Sequence, residues 1–522
     1  MEEWKFEVPL TTDTPETDIT PELEETADLF DLPEIEEEPE APEAAEVPAA
    51  PADEPQSNRP RRRQRSKMQV FKETYLPVLI AGVALLLIVI FIIGSIVRAV
   101  QTHKDEKAAS ESIAASQEAE AARQAKEADL LLNEAAQAAA GYDYESAVKL
   151  LDSFTGDKTK FPELTAKRDQ YTQALSTTVA WTDPSQIPNL SFHVLINDAE
   201  RAFADEDYGY SYESNFVTTA EFSNILQQLY DNGYILVSLS DFTEVVTQAD
   251  GSKALAARTL YLPEGKKPIM LTGTNMNYYP YMVDGDGDGL ADKDGAGFSS
   301  RIVVDAGGKP VNEYINADGT TVSGAYGMVP ILDAFIAQHP DFSFRGAKAI
   351  LAVSGYDGIF GYRINASAKD SLGAEVYAQQ VSGAQKVVSA LKADGYTLAC
   401  YTYGNIAYGD SSSTEIQVDL ASWSEEIVPY LGNVDVLVYA RNSDIGGSEP
   451  YSGDSYQVLK NAGFRYYLGA SSDSQSWASV EGEYVRQNRL PVTGELLTLS
   501  PELYTGLFDA AAVVTAQRDS LS

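Results

Sequence analysis

The 522-residue chain carries 78 acidic against 38 basic side chains, a formal net charge of -40, and 44% of its residues are hydrophobic. That apolar share supplies a sizeable core with material to spare, so a large folded part joined to segments of other character is expected. The charge excludes nucleic acid as a partner, because phosphate neutralisation needs a clustered basic surface; the single cysteine, Cys400, excludes an intrachain disulfide and reads as a small core residue.

Residues 1–58 read as a disordered acidic tail. From Met1 to Gln56 there are 20 acidic residues and one basic residue, Lys5, in a background of Pro, Thr and Ala, and such a composition cannot bury enough surface to offset chain entropy. A basic juxtamembrane segment, 59–75, follows with Arg59, Arg61, Arg62, Arg63, Arg65 and Lys67. Next comes LPVLIAGVALLLIVIFIIGSIV, Leu76–Val97, without a charge. At about 1.5 Å per residue this stretch is roughly 33 Å long, enough to cross a bilayer. A cleaved signal peptide is disfavoured by the late start, the length and the lack of a small-residue cleavage motif. The arginines precede the span, which places the tail in the cytoplasm and the remainder outside, in a single-pass cell-membrane protein.

Residues 104–176 read as a helical stalk. Lys104 to Ala140 is rich in Ala, Glu, Gln and Lys without Gly or Pro, and Gly141, Tyr144, Ala147, Leu150 and Leu151 have the spacing of one tetratricopeptide-like helix pair completed by Pro162 to Leu175. One such unit builds no solenoid, so a spacer role is expected. Residues 177–189, including WTDPSQIPN, read as a linker.

From residue 190 to 518 short apolar strands alternate with amphipathic helices. LSFHVLIN, YILVSLSDF, KPIMLTGTN, AKAILAVSG, YTLACYTYG, VDVLVYA and RYYLGAS read as strands, with helices such as TTAEFSNILQQLYDNG and AQKVVSALKADG between them. This alternation implies an α/β fold with a parallel sheet closed into a (β/α) barrel, whose function would sit at the C-terminal strand ends. The Phe192-His193 pair, the unit TTAEFSNILQQLYDNGYILVSLSDF, KPIMLTGTNMNYYPYM, PILDAFIAQHPDFSFRGAKAILAVSGYDGIFGYR, the TYG at Thr402–Gly404 and YVRQNR at Tyr484–Arg489 together resemble the polysaccharide deacetylases. The resemblance implies a distorted barrel of NodB type and a lineage that removes acetyl groups from cell-surface glycans.

In that family an aspartate pair ends the LT strand, one member as general base and the other as metal ligand beside two histidines spaced His-x-x-x-His. The matching positions here are Thr274 and Asn275, and Tyr401 and Asn405. Neutral Thr and Asn side chains do not accept a proton from metal-bound water, nor do these four groups make a zinc site. Independently of the resemblance, the chain has three histidines, His103, His193 and His339, none paired at metal-ligand spacing. His193 is the residual catalytic candidate; a rebuilt site would join it to Asp357 or Asp198. Its other reading is a hydrogen-bonded core histidine. His339, after a helix, reads as a cap or surface residue.

Asp284, Asp286, Asp288 and Asp292 in VDGDGDGLADKDG set carboxylates at alternate positions around glycines, as calcium loops do, although Gly295 stands where an EF-hand carries glutamate. Calcium and a solvated acidic turn are the two readings. Tyr278, Tyr279 and Tyr403, with Tyr281, Tyr401 and Tyr408, gather near the strand ends; the first three are the glycan-binding candidates, against the alternative that tyrosines fill space left by lost metal ligands. The expected function is a catalytically inactive, membrane-tethered deacetylase-like module that binds cell-wall or capsular glycan or a partner protein, without zinc. The alternatives are an active metal-dependent deacetylase with a rebuilt site, and a transmembrane sensor whose acidic tail binds a cytoplasmic protein.

Overall fold

The computed structural model describes residues 76–522 apart from 252, 448–449, 471–476 and 522, with side chains from residue 81 onward, that of residue 519 excepted. The expected acidic tail and basic segment lie outside the described residues. Two compact units divide the chain between His103 and Lys104. In the first, helix α1 (Leu76–Ala140) carries an apolar stretch whose side chains from Ala81 onward are uncovered by protein, and among the described residues it is the one helix long and apolar enough to cross a membrane.

In the second unit the end of α1 packs with α2 (Tyr144–Asp152) and α3 (Pro162–Ser176) around Ala128, Ala135, Ala147, Leu151, Phe154, Leu164 and Tyr171. Asp143 starts α2 by accepting from Ser146 N, and Pro162 stands in the first turn of α3, where its missing N–H costs nothing. This helix group is latched to the barrel. Arg345 N donates to Gly141 O at 2.8 Å, Arg345 pairs with Asp143 at 3.3 Å, and a Cβ on Gly141 would sit 2.9 Å from Ser343 O. The segment expected as a linker is likewise tied in, because Val179–Trp181 pairs antiparallel with Leu260–Leu262.

Seven parallel strands close the barrel: β1 (Asn189–Phe192), β3 (Lys267–Gly273), β4 (Ile350–Val353), β5 (Thr397–Cys400), β6 (Val436–Val438), β7 (Tyr466–Ala470) and β8 (Val485–Pro491). Around the ring the order is β1-β3-β4-β5-β6-β7-β8, and β8 returns to β1. An eighth parallel strand, β2 (Tyr234–Leu236), pairs with the first half of β3 while β4 pairs with Thr272 and Gly273. One edge of β3 thus serves two partners. The run YILVSLSDF is shorter as a strand than its composition predicts, because Ser238 and Asp241 form a capping box that starts a helix at Leu239.

Side-chain alternation along the strands sorts two cores. Ile350 and Ala352 of β4 join Met270, Val436, Val438, Leu468 and Val485 inside the barrel, whereas Leu351 and Val353 face the helices with Leu271, Leu398, Leu437 and Leu490. Those helices include α4 (Thr219–Asp231), α5 (Met328–Gln338), α6 (Ala366–Ala393), α7 (Ser413–Glu426) and α8 (Gly453–Asn461). Between β3 and α5 lies an insertion holding the aspartate loop and a three-stranded antiparallel sheet, Arg301–Val304, Pro310–Ile315 and Thr321–Gly324.

Candidate functional site

The C-terminal ends of β1, β3, β4, β5 and β8 bring His193, Thr274, Ser354, Tyr401 and Arg489 to the barrel mouth. Their placement follows from strand periodicity: Val485, Gln487 and Arg489 share the inward face of β8, and Gln487 accepts from Asn189 Nδ2 at 3.1 Å inside the barrel. Arg489 is 2% exposed. Its Nε donates to Gly469 O at 2.9 Å and Leu468 O at 3.3 Å, and Nη2 donates to Tyr439 O at 3.1 Å. All three acceptors are carbonyls, so the guanidinium keeps its charge without a bonded carboxylate. Burial pulls its pKa down to about 10, which still leaves a cation at neutral pH.

His193 senses that cation. Burial, then the charge of Arg489, lowers the imidazole pKa to about 4, so the ring is neutral at pH 7. Its Nδ1 lies 3.2 Å from Thr274 Oγ1, and Thr274 Oγ1 also reaches Phe192 O at 3.1 Å. Phe216 covers the ring at a centroid distance of 5.4 Å. Thr274 and Tyr401 are buried, and burial raises the Tyr401 phenol pKa. Asn275, with a left-handed backbone (φ 56), accepts from Tyr279 OH at 2.5 Å and from Ser354 Oγ at 3.3 Å.

Asn405 is also left-handed (φ 52), as is Thr402 (φ 61). The turn between them is held by Asp419, whose carboxylate accepts from Tyr403 N, Gly404 N and Tyr408 OH, each at 2.7 Å. Tyr278 and Tyr279, read from sequence as glycan-binding candidates, are each 1% exposed. Tyr278 accepts from Asn312 Nδ2 at 2.8 Å, and Tyr279 stacks between Tyr281 and Tyr356. Tyr403 is half-buried beside a cavity of about 320 Å³ that Ile406, Val418 and Asp419 also line. Asp198 caps a short helix by accepting from Arg201 N at 3.1 Å, and His339 stands at the C-cap of α5 against Tyr230.

In the aspartate loop, Asp284, Asp286 and Asp292 can each bring one oxygen within 4.8 Å of the others; Asp288 is outside this group. Much of the acceptor capacity is used by the loop itself. Asp284 takes the N–H groups of Gly287 and Gly289 at 2.7 and 2.6 Å, and Asp292 takes Asp294 N at 2.7 Å.

Sequence reasoning missed Arg489, Ser354, Asp419 and Tyr356. For Arg489 the signal was present, since a charged residue at the inward phase of a barrel strand stands out once the phase is fixed by Val485. For Asp419 there was none, because its partners lie on a loop fifteen residues away in sequence.

No protein-family model and no curated protein matches the chain. Among solved structures, one similar chain is that titled Streptococcus pyogenes deacetylase PplD in complex with acetate, 13% identical, with a TM-score of 0.33, covering 62% of this chain and 99% of that one. The likeness is too distant to carry function, and the fold stands on the strand pairing above.

Proposed function

We propose that this chain is a membrane-anchored, extracytoplasmic, deacetylase-like barrel that has lost hydrolytic chemistry and binds a cell-wall or capsular glycan. The observation that carries the reading is Arg489: a permanent cation in the uppermost interior layer of the barrel, beside His193 and Tyr401. Metal-assisted deacetylation needs anionic and imidazole donors and a carboxylate base. The residues at this mouth do not fit a divalent cation, because the neighbouring charge is positive and Thr274, Asn275 and Ser354 are spent on one another, His193 and Tyr279. A rebuilt His-Asp pair is not supported either, since the charge that acts on His193 is that of Arg489 and not that of Asp357 or Asp198, and Asp198 is engaged in its cap.

The membrane anchor rests on the apolar start of α1, and the outward orientation on the arginines before it. The latched helix group then acts as a spacer. Calcium in the aspartate loop belongs to the same proposal as a structural ion. The deciding experiment incubates the full-length protein with acetylated chito-oligosaccharides and added zinc, cobalt or manganese. No acetate release above buffer is expected, whereas turnover that disappears in His193→Ala would overturn the inactive reading.

A further inference from the structure

At the end of the barrel opposite the mouth, a lysine, two aspartates and a tyrosine meet where helices and strands join. Lys348 stands just before β4, Asp333 on α5, Asp394 at the C-cap of α6 and Tyr396 just before β5. Lys348 Nζ donates to Asp333 Oδ1 and lies 3.5 Å from Asp394 Oδ2. The side chains of Lys348, Asp333 and Asp394 are only 11%, 20% and 13% exposed. Tyr396, itself buried, sets its ring 5.4 Å from Lys348 Nζ and its hydroxyl 2.7 Å from Asp333 Oδ1 and 3.0 Å from Val329 O. Among the described residues, Asp333 Oδ2 and Asp394 Oδ2 are buried acceptors that no donor reaches.

Two carboxylates in contact do not both stay ionised, and one proton held between them satisfies both orphaned oxygens. Burial raises the Asp333 carboxyl pKa; Lys348 offsets part of that rise and the hydrogen bond to Asp394 adds to it. At Asp394 burial is outweighed, first by Lys309, whose Nζ donates to Oδ1 at 2.6 Å, so its carboxyl pKa falls. The proton therefore belongs to Asp333, which is a carboxylic acid facing an amine, with an ionised carboxylate beside both. Fixed contact makes such a pair react as one molecule, without the entropy cost of encounter.

We infer that Lys348 and Asp333 condense into an intramolecular amide, a covalent cross-link from α5 to the start of β4, with Asp394 as the proton acceptor. Asp394 takes a proton from the Lys348 ammonium, and the freed amine attacks Asp333 Cγ. The Nζ–Cγ bond forms while Tyr396 holds Oδ1, the oxygen that becomes the amide carbonyl. The Cγ–Oδ2 bond then breaks, and Oδ2 leaves as water with its own proton and a second one relayed from Nζ through Asp394. The amide nitrogen keeps one proton, and the last stays on Asp394. No oxidant or other reactant enters.

The test is the intact mass of the full-length protein under denaturing conditions, with fragmentation of a protease digest to find the joined residues. The parent is expected to be lighter than its sequence by one water, with Lys348 and Asp333 in one branched peptide, whereas Lys348→Met and Asp394→Asn have the full mass of their sequences. A parent of full sequence mass overturns the cross-link. So does a water loss that persists in Lys348→Met, because Asp-Gly steps such as Asp286-Gly287 lose water on their own as cyclic imides.

Discussion

At the scale of single residues, the mouth is governed by one buried cation and one neutral imidazole. His193 has a folded pKa of about 4 against the ordinary 6.5, so its contribution to stability is complete above pH 6.5 and is lost as pH falls from 6.5 through 4. The size is roughly 3 kcal/mol. Urea unfolding at pH 7 and at pH 4 should therefore show a larger drop for the parent than for His193→Gln; equal drops would refute the depressed imidazole. Arg489→Met leaves the carbonyls of Tyr439, Leu468 and Gly469 without their donor. A loss of about 2–4 kcal/mol is expected, and in the surviving fold the His193 resonance should titrate at higher pH, because the adjacent charge is gone. A histidine midpoint that stays where it was would mean burial alone sets it.

At the scale of elements, helix starts and loop closures hold the wall around the site. Thr218 and Glu221 form a capping box on α4, with Thr218 N donating to Glu221 Oε2 at 2.8 Å and Glu221 N to Thr218 Oγ1 at 3.1 Å. The same glutamate takes the C-terminal Arg518 at 2.7 and 2.9 Å, in a pair whose side chains are 0% and 2% exposed. Arg518 Nη2 also donates to Phe216 O at 3.0 Å, so the chain's last turn braces the residue that covers His193. Breaking one partner of a buried pair strands the other, and Arg518→Met is expected to cost about 3–5 kcal/mol in chemical denaturation. A cost near zero would show that the segment is an ornament. In the aspartate loop, millimolar calcium should raise the Tm of the parent and leave Asp284→Asn unmoved; a parent indifferent to both calcium and chelator returns the loop to a solvated turn.

For the whole molecule, the proposed arrangement is a cytoplasmic tail, one span and an outer barrel held on a latched helical spacer. Cys400 is fully buried and burial pushes its thiol pKa well up, so it gives little background to thiol labelling. In intact cells an impermeant maleimide should label Ser112→Cys and spare Ser57→Cys. The reverse pattern would invert the orientation drawn from the arginines. The latch predicts that the helix group and barrel unfold together; a separate early transition in the parent would deny the coupling through Gly141, Asp143 and Arg345.

The alternation of strand and helix was legible in the residues because it depends on local period: two along a strand, 3.6 along a helix. The uncharged run at Leu76–Val97 was legible for a similar reason, since length and composition suffice. That Thr274, Asn275, Tyr401 and Asn405 offer neither a carboxylate nor an imidazole could also be read in line. Tertiary structure alone decided how the ring closes, because β3 gives one edge to both β2 and β4, and which tyrosines reach solvent. Tyr279 and Tyr281 are two residues apart, yet one is 1% and the other 41% exposed. Burial and charge contact are sums over neighbours far away in sequence; so the lowering of the His193 pKa by burial and by the Arg489 charge exists only once the barrel has formed.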